Sequence, residues 1–305
     1  MHKKIALRKR DYPLWWLLQG LSHLPFGILY LLADFVYVLL FYVFKYRKKV
    51  VYHNLNNSFP DKDAAEIQRI AKQFYHNLAD IIFEILKLGS ISTADLRRRA
   101  HFQNPEILQA YLDKGLSVLT LGSHACNWEW GLASSPGFLN FPADGVYKPL
   151  QNNFFEQYMR FLRSRLGPNP LPMKEVLRHL VRHRQESRLV ALLSDQIPPR
   201  GEIQYWTSFL NQDTGFYVGA DKLAATFKYP VVFIKVVRRG RGYYLFSFEL
   251  LAEPGAVTTA EEYKVTEAYA RHLEISIREN PADYLWSHRR WKHKRPASDN
   301  GAASK

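Results

Sequence analysis

The chain has 305 residues, 47% of them hydrophobic and 14% aromatic, with 42 Lys and Arg, 28 Asp and Glu, and one Cys. That length suits one large domain or two small ones with an ample core, and the composition excludes a chain disordered throughout. One Cys excludes an intramolecular disulfide framework, which makes a reducing compartment the default.

The surplus of +14 sits in three short clusters. Residues 1–10 carry Lys3, Lys4, Arg8, Lys9 and Arg10; residues 45–49 carry Lys45, Arg47, Lys48 and Lys49; residues 289–295 carry Arg289, Arg290, Lys292, Lys294 and Arg295. None contains an acid, and together they account for the whole surplus, so the remaining chain is balanced. A nucleic-acid-binding domain spreads basic residues over a face of its fold. This pattern argues for a membrane and against a nucleic-acid partner.

Between the first two clusters, residues 13–44 hold one side chain charged at neutral pH, Asp34. Fourteen Leu, Ile, Val or Phe within 24–44 favour insertion by about −4 to −8 kcal/mol, against roughly +2.5 to +3.5 for a central Asp. The segment is too long for a cleaved signal peptide and lacks its small-residue site. A single span would strand one basic cluster on the far side. A shallow or re-entrant anchor, bent near Pro25–Gly27 or at Asp34, keeps both at the anionic surface. A buried core helix is the other reading.

From 61 to 89, Ile67, Ile70, Phe74, Leu78, Ile81, Ile82 and Ile85 fall at helical spacing. Asp63 and Glu66 read as a capping box and Gly89 as the stop. After a polar stretch around Arg97–Arg99 come strands at 116–121, 189–193, 231–237 and 243–251, with helices at 152–166 and 174–186. A last amphipathic helix is expected from a Thr259/Glu262 box to about Arg278, followed by a frayed tail at 296–305. No internal repeat is present.

The segment LSVLTLGSHACNWEWG puts His124 just after a strand, with Glu129 in the next helix. Reactive groups of open α/β sheets gather at the carboxyl ends of strands. Five residues along one helix would set the two side chains roughly 140° apart. His124 must therefore lie in the turn before the helix if Glu129 is to reach its ring and fix its tautomer. By itself a His-x4-Glu pair is more often structural. Ser123 is adjacent to His124 and badly placed for a nucleophile–base pair. Cys126, in an apolar aromatic stretch, reads as packed and inert. No second His stands at metal-ligand spacing, so no metal is expected.

His124-Ala-Cys-Asn-Trp-Glu129 resembles the His-x4-Asp/Glu motif of the lysophospholipid acyltransferase superfamily. Almost the whole chain more closely resembles the late acyltransferases of lipid A biosynthesis, the lauroyl/myristoyl transferase family. The resemblance rests on the apolar start with Arg47-Lys48, on Asn54-Leu55 and Phe59-Pro60, and on Tyr147-Lys148-Pro149. It continues through Asp195-Gln196 and the tail from Tyr284 through Trp286, His288-Arg289-Arg290-Trp291-Lys292 to Arg295-Pro296. There are departures: Lys148 stands in place of the usual Arg, and Phe209-Leu210-Asn211 where many relatives have Phe-Phe-Gly.

The resemblance implies an α/β fold, a mixed sheet flanked by helices of the glycerolphosphate-acyltransferase type, with an N-terminal membrane-anchoring helical segment. Its divisions would be an anchor at 1–49, a catalytic domain at 50–295 and a disordered tail at 296–305. Within the domain, a helical lead-in (50–115) and an α/β core (116–257) precede a C-terminal helix and basic aromatic tail (258–295). The implied reaction moves a fatty acyl group from acyl-carrier protein, or less often coenzyme A, to a hydroxyl of a lipid A precursor, with no cofactor. It would occur at the cytoplasmic face of the inner membrane. His124 would be the general base and Glu129 its orienting carboxylate, with backbone amides of the 122–126 turn as oxyanion donors. Lys148, Arg160, Arg163 and Arg165 would bind acceptor phosphates or carboxylates, or else form a solvated helix face. Asp195, beside Gln196, would hold the acceptor or a loop of the site, or serve as a cap. Another lipid acceptor, a glycerophospholipid, aminolipid or glycolipid, fits the superfamily equally. A non-catalytic membrane scaffold, or a nucleic-acid-binding protein using the basic tail, is the remaining class.

Overall fold

The computed structural model describes residues 8–296; Lys3, Lys4 and all but the first residue of the 296–305 tail lie outside the described residues. Helices α1 (Tyr12–His23) and α2 (Phe26–Val38) lead through a π-helical turn, Leu39–Val43, into α3 (Lys48–Ser58) and the long α4 (Ala64–Lys87). Then follow α5 (Thr93–Arg99), β1 (Ala100–Phe102), α6 (Glu106–Leu112), β2 (Val118–Gly122), α7 (Trp128–Ala133), β3 (Ala143–Tyr147) and α8 (Asn153–Ser164). Next are β4 (Asn169–Pro172), α9 (Val176–Arg182), β5 (Leu189–Leu193) and a hairpin of β6 (Tyr205–Phe209) and β7 (Gln212–Phe216). The chain closes with α10 (Gly219–Phe227), β8 (Val231–Gly240), β9 (Tyr243–Ala252) and α11 (Lys264–Glu279).

Seven strands form one sheet in the order β1-β9-β8-β2-β5-β3-β4. From β8 to β4 neighbouring strands run parallel; β9 is antiparallel to β8 and carries β1 parallel to itself. The expected α/β class and mixed sheet are therefore present. β2 lies at the centre, all five of its residues buried, as a parallel strand covered on both faces requires.

Helix α4 supplies one flank. Ile67, Ile70, Ala71, Phe74 and Tyr75 join a core with Leu119, Leu121 and Phe233 of the sheet and Tyr269 and Leu273 of α11. Its start matches the sequence: the Asp63 side chain accepts from the Glu66 amide at 2.8 Å. Its end does not. Gly89 is no left-handed cap; it is the point where α1 approaches, and a Cβ there would lie 3.0 Å from Oγ of Ser22. The Thr259/Glu262 box also gives way. Helix α11 starts at Lys264, and Asp221 of α10 accepts from the amides of Val265 (2.9 Å) and Thr266 (3.2 Å). The cap is a tertiary contact from 44 residues upstream, which no local pattern encodes.

The N-terminal segment bends at Leu24–Pro25 and runs helically through Asp34. Only 17% of residues Phe26–Val43 are buried, which sets aside a core helix. Leu29, Ala33 and Phe41 face the protein, while Ile28, Leu31, Phe35, Val38 and Tyr42 form an exposed apolar stripe at helical spacing. Asp34 is turned to the protein as well. Its carboxylate takes Nη2 of Arg241 at 2.6 Å and lies 3.1 Å from Nε2 of His76. Arg241 also reaches the fully buried Asp80 at 2.6 Å. Beside it Gly242, at φ +74°, seats the β8–β9 turn under α2, where a Cβ would meet the hydroxyl of Tyr30.

The C-terminal basic cluster is not one surface patch. Trp286 and Arg290 are buried, and the Arg290 guanidinium lies over the Phe216 ring at 4.5 Å and donates to the Gly215 carbonyl at 2.8 Å. Arg289, Lys292 and Lys294 are exposed.

Candidate active site

Strands β2 and β5 are parallel neighbours, with Gly122 paired to Leu193. His124 and Asp195, each two residues past its strand end, are therefore brought side by side above the sheet. The Asp195 carboxylate holds His124 at both oxygens. Oδ1 accepts from Nδ1 at 2.7 Å and Oδ2 accepts from the backbone amide at 3.0 Å. This fixes the proton on Nδ1 and leaves Nε2 as the free basic nitrogen, where the Gln196 amide donates at 3.3 Å. Trp128 packs its edge against the imidazole, 5.0 Å between ring centres.

Glu129, in the first turn of α7, is not hydrogen-bonded to His124 as the spacing suggested. Its carboxylate is clamped by Arg163 of α8, Nε to Oε2 at 2.9 Å and Nη2 to Oε1 at 2.6 Å. Both partners are largely buried, so the bidentate fork neutralises a charge that would otherwise be costly to bury. The Arg163 guanidinium also lies 5.0 Å from the Tyr147 ring. Tyr147 donates to Glu156 at 2.7 Å, and Glu156 accepts from the Leu150 amide at 2.8 Å. The Tyr147-Lys148-Pro149 segment is thereby braced beside the Glu129–Arg163 pair.

Burial of the His124 ring works against its charge, but the Asp195 carboxylate and then Glu129 outweigh it, and its pKa stands above the usual 6.5. Asp195 moves the other way. Burial raises it, while His124 charge and hydrogen bonds and the Arg290 charge bring it below 3.8. His288 accepts from the Ile197 amide at 3.5 Å through Nε2 and, desolvated, is lowered to about 4.

The turn itself is tied down from the C-terminal side. Tyr269 of α11 donates to the Gly122 carbonyl at 2.7 Å, and the Cys126 amide donates to the Asp283 carbonyl at 2.9 Å. Cys126 adopts φ 52°, an uncommon left-handed conformation for a side-chain-bearing residue. Its thiol is buried and held well above the usual thiol pKa by burial and then by Asp283, which fits a packed, inert role. Two backbone amides expected as oxyanion donors, those of His124 and Cys126, are thus already engaged.

The other residues singled out in the sequence separate clearly. Lys148 is exposed and Arg160 half-buried, and neither makes a hydrogen bond or ion pair among the described residues. Arg165 points away: its guanidinium donates to the Leu88 and Ile91 carbonyls and braces the end of α8 against the end of α4. Phe209-Leu210-Asn211 is the β6–β7 turn, with Leu210 (φ 50°) and Asn211 (φ 62°) left-handed. Asn211 is of a type that tolerates that conformation. Tyr147, Tyr269, His288 and Arg290 were missed as site residues, although the first, third and fourth lie in motifs already quoted. Among the described residues, no three of His, Cys, Asp and Glu gather where they would hold a metal ion.

No curated protein matches the chain. The model of the bacterial lipid A biosynthesis acyltransferase family matches residues 1–293, and the chain belongs to that family.

Proposed function

We propose that this acyltransferase moves a fatty acyl chain from acyl-carrier protein, or from coenzyme A, to a hydroxyl of a lipid A precursor. It would do so at the inner membrane, with its catalytic domain facing the cytoplasm. His124 is the general base. Nε2 takes the acceptor hydroxyl's proton as the oxygen attacks the thioester carbonyl; the tetrahedral intermediate collapses, and the departing thiolate recovers the proton from the imidazolium. Atoms and charge balance without an acyl-enzyme. Asp195 takes the orienting role first given to Glu129, since it holds Nδ1 and the backbone of the turn together. Glu129 acts through its field, favouring the imidazolium, and through Arg163 positions the Tyr147 segment. Lys148 and Arg160, neither in a hydrogen bond or ion pair among the described residues, are the cations available to acceptor phosphates or carboxylates. The Gln196 amide, which donates to Nε2 of His124, is a donor close to the reacting oxygen.

The exposed stripe of Ile28, Leu31, Phe35, Val38 and Tyr42 supports a monotopic anchor, with the opposite helix face already committed to the protein. A multiply acylated acceptor stays in the bilayer at about 0.8 kcal/mol per buried CH₂, so the enzyme must work at that surface.

The Asp195–His124 pair at adjoining strand ends carries this reading. The test pairs acyl-carrier proteins of different chain length with purified acceptor lipids. Full-length protein should transfer the acyl group, and His124→Ala should lose at least about 10²-fold. Near-normal turnover by that variant would overturn the assignment.

A further inference from the structure

A cleft of about 350 Å³ lies between α3 and the C-terminal tail, lined by Lys49, Val50, His53, Asn54, Arg289, Trp291 and Lys292. No carboxylate lines it. Lys49, Arg289 and Lys292 are exposed and make no hydrogen bond or ion pair among the described residues. Three unpaired cations around one hollow repel one another unless an anion enters.

The floor is built rather than incidental. Buried Asn54 donates to the carbonyls of Trp286 and His288, both at 2.9 Å. Arg47 donates to the Ser287 carbonyl at 3.0 Å, and Trp291 donates from Nε1 to Thr214 at 2.8 Å. The hollow is thus fixed before any ligand arrives, so an anion would not have to order the groups that bind it.

Two neighbours define what the anion belongs to. Lys49 lies five residues beyond Phe44, at the end of the exposed apolar run that includes Tyr42 and Val43, which puts the cleft at headgroup depth. On the other side, Arg289 follows His288, which accepts from the Ile197 amide, next to Gln196 at the His124 ring. A ligand in the cleft would therefore lie between the membrane surface and the base.

We propose that this cleft binds a phosphate monoester borne by a membrane lipid and thereby presents the acceptor to His124. A monoester carries close to two negative charges and three acceptor oxygens, suited to several unpaired donors, and Trp291 offers a ring face at the interface. The proposal rests on the acyl-transfer reading only for calling that lipid the acceptor.

The experiment is vesicle flotation of the full chain. Neutral phosphatidylcholine vesicles are compared with vesicles containing phosphatidic acid, a monoester, or phosphatidylglycerol, a diester, at equal surface charge. Wild type should prefer the monoester, and Lys49→Ala/Arg289→Ala/Lys292→Ala should lose that preference by roughly tenfold or more. Arg178→Ala/Arg182→Ala/Arg184→Ala, which removes three exposed charges elsewhere, should keep it. Millimolar inorganic phosphate that leaves binding intact identifies the lipid-borne group as the ligand. Abolition by free phosphate, equal binding to both anionic lipids, or equal loss in the two triple variants would overturn the proposal. So would a cleft variant defective only toward acyl-carrier protein. His124→Ala should float like wild type, which separates failure of this site from failure of the catalytic assignment.

Discussion

Asp195 grips His124 through the ring at 2.7 Å and through the backbone at 3.0 Å, so one buried carboxylate sets both the tautomer and the turn that presents it. Because each residue follows its strand by two positions and those strands are paired in register, the contact is a property of the sheet rather than of a flexible loop.

The pH dependence follows from this pair. The base must be neutral, so kcat/KM should rise with pH through a His124 pKa above 6.5. In Asp195→Asn the larger of the two raising influences is gone while Glu129 and burial remain, so the acidic limb should move to lower pH while the plateau falls about 10²–10⁴-fold. A pH–rate profile of both proteins checks the direction. The stability terms have opposite signs. The raised His124 pKa stabilises fully below pH 6.5 and ceases to do so as pH rises through its folded value. The lowered Asp195 pKa stabilises above 3.8 and is lost as pH falls through its own.

Arg163→Ala should strand the Glu129 carboxylate, 6% exposed, in the interior. Losing one partner of a buried pair costs about 3–5 kcal/mol, which a denaturant melt would resolve. Arg163→Lys keeps the charge but not the fork and should fall between wild type and Ala in both stability and turnover. Equal melts for all three would show that the pair contributes nothing.

Asp221 of α10 caps α11, three elements further along the chain, and α11 in turn carries Tyr269 to the Gly122 carbonyl. Asp221→Ala should cost about 1–2 kcal/mol of stability. Tyr269→Phe should leave α11 folded by circular dichroism yet slow acyl transfer, because the carbonyl of the turn loses its partner.

The exposed stripe on α2 makes its own prediction. Leu31→Lys/Phe35→Lys should move the protein from vesicles to the supernatant, since each central Lys costs roughly 2.5–3.5 kcal/mol in a bilayer interior. Thermal melts in detergent should change little, because both side chains face outward, 70% and 61% exposed. Retention on vesicles would locate the membrane contact elsewhere.

What was legible in the sequence was whatever is written locally. Strand 189–193 and the strand pair starting at Val231 and Tyr243 were evident because buried β-segments are continuous apolar runs. Strands β3 and β4, rich in Asp, Gly and Pro, carry no such run and were missed. His124 was found from its place after a strand. Asp195 was singled out as holding the acceptor or a loop of the site, but its pairing with His124 was not evident, because Glu129 is near in sequence while Asp195 becomes near only when β2 pairs with β5. The same distinction explains Arg165, whose basic character suggested a ligand but whose guanidinium closes a helix junction 77 residues away in sequence.

The contact of α2 with the body has one more consequence. Asp34, Arg241 and Asp80 share one ion-pair chain, while Tyr30 and Asn127, the cap of α7, both donate to the buried Glu84. The apolar segment is therefore not a leash that can be cut to free a soluble enzyme. Removing it would bare Glu84 and Asp80 to solvent and loosen the helix that begins four residues after His124. On the proposed function, the helix that meets the membrane and the turn that carries His124 are held by the same buried contacts.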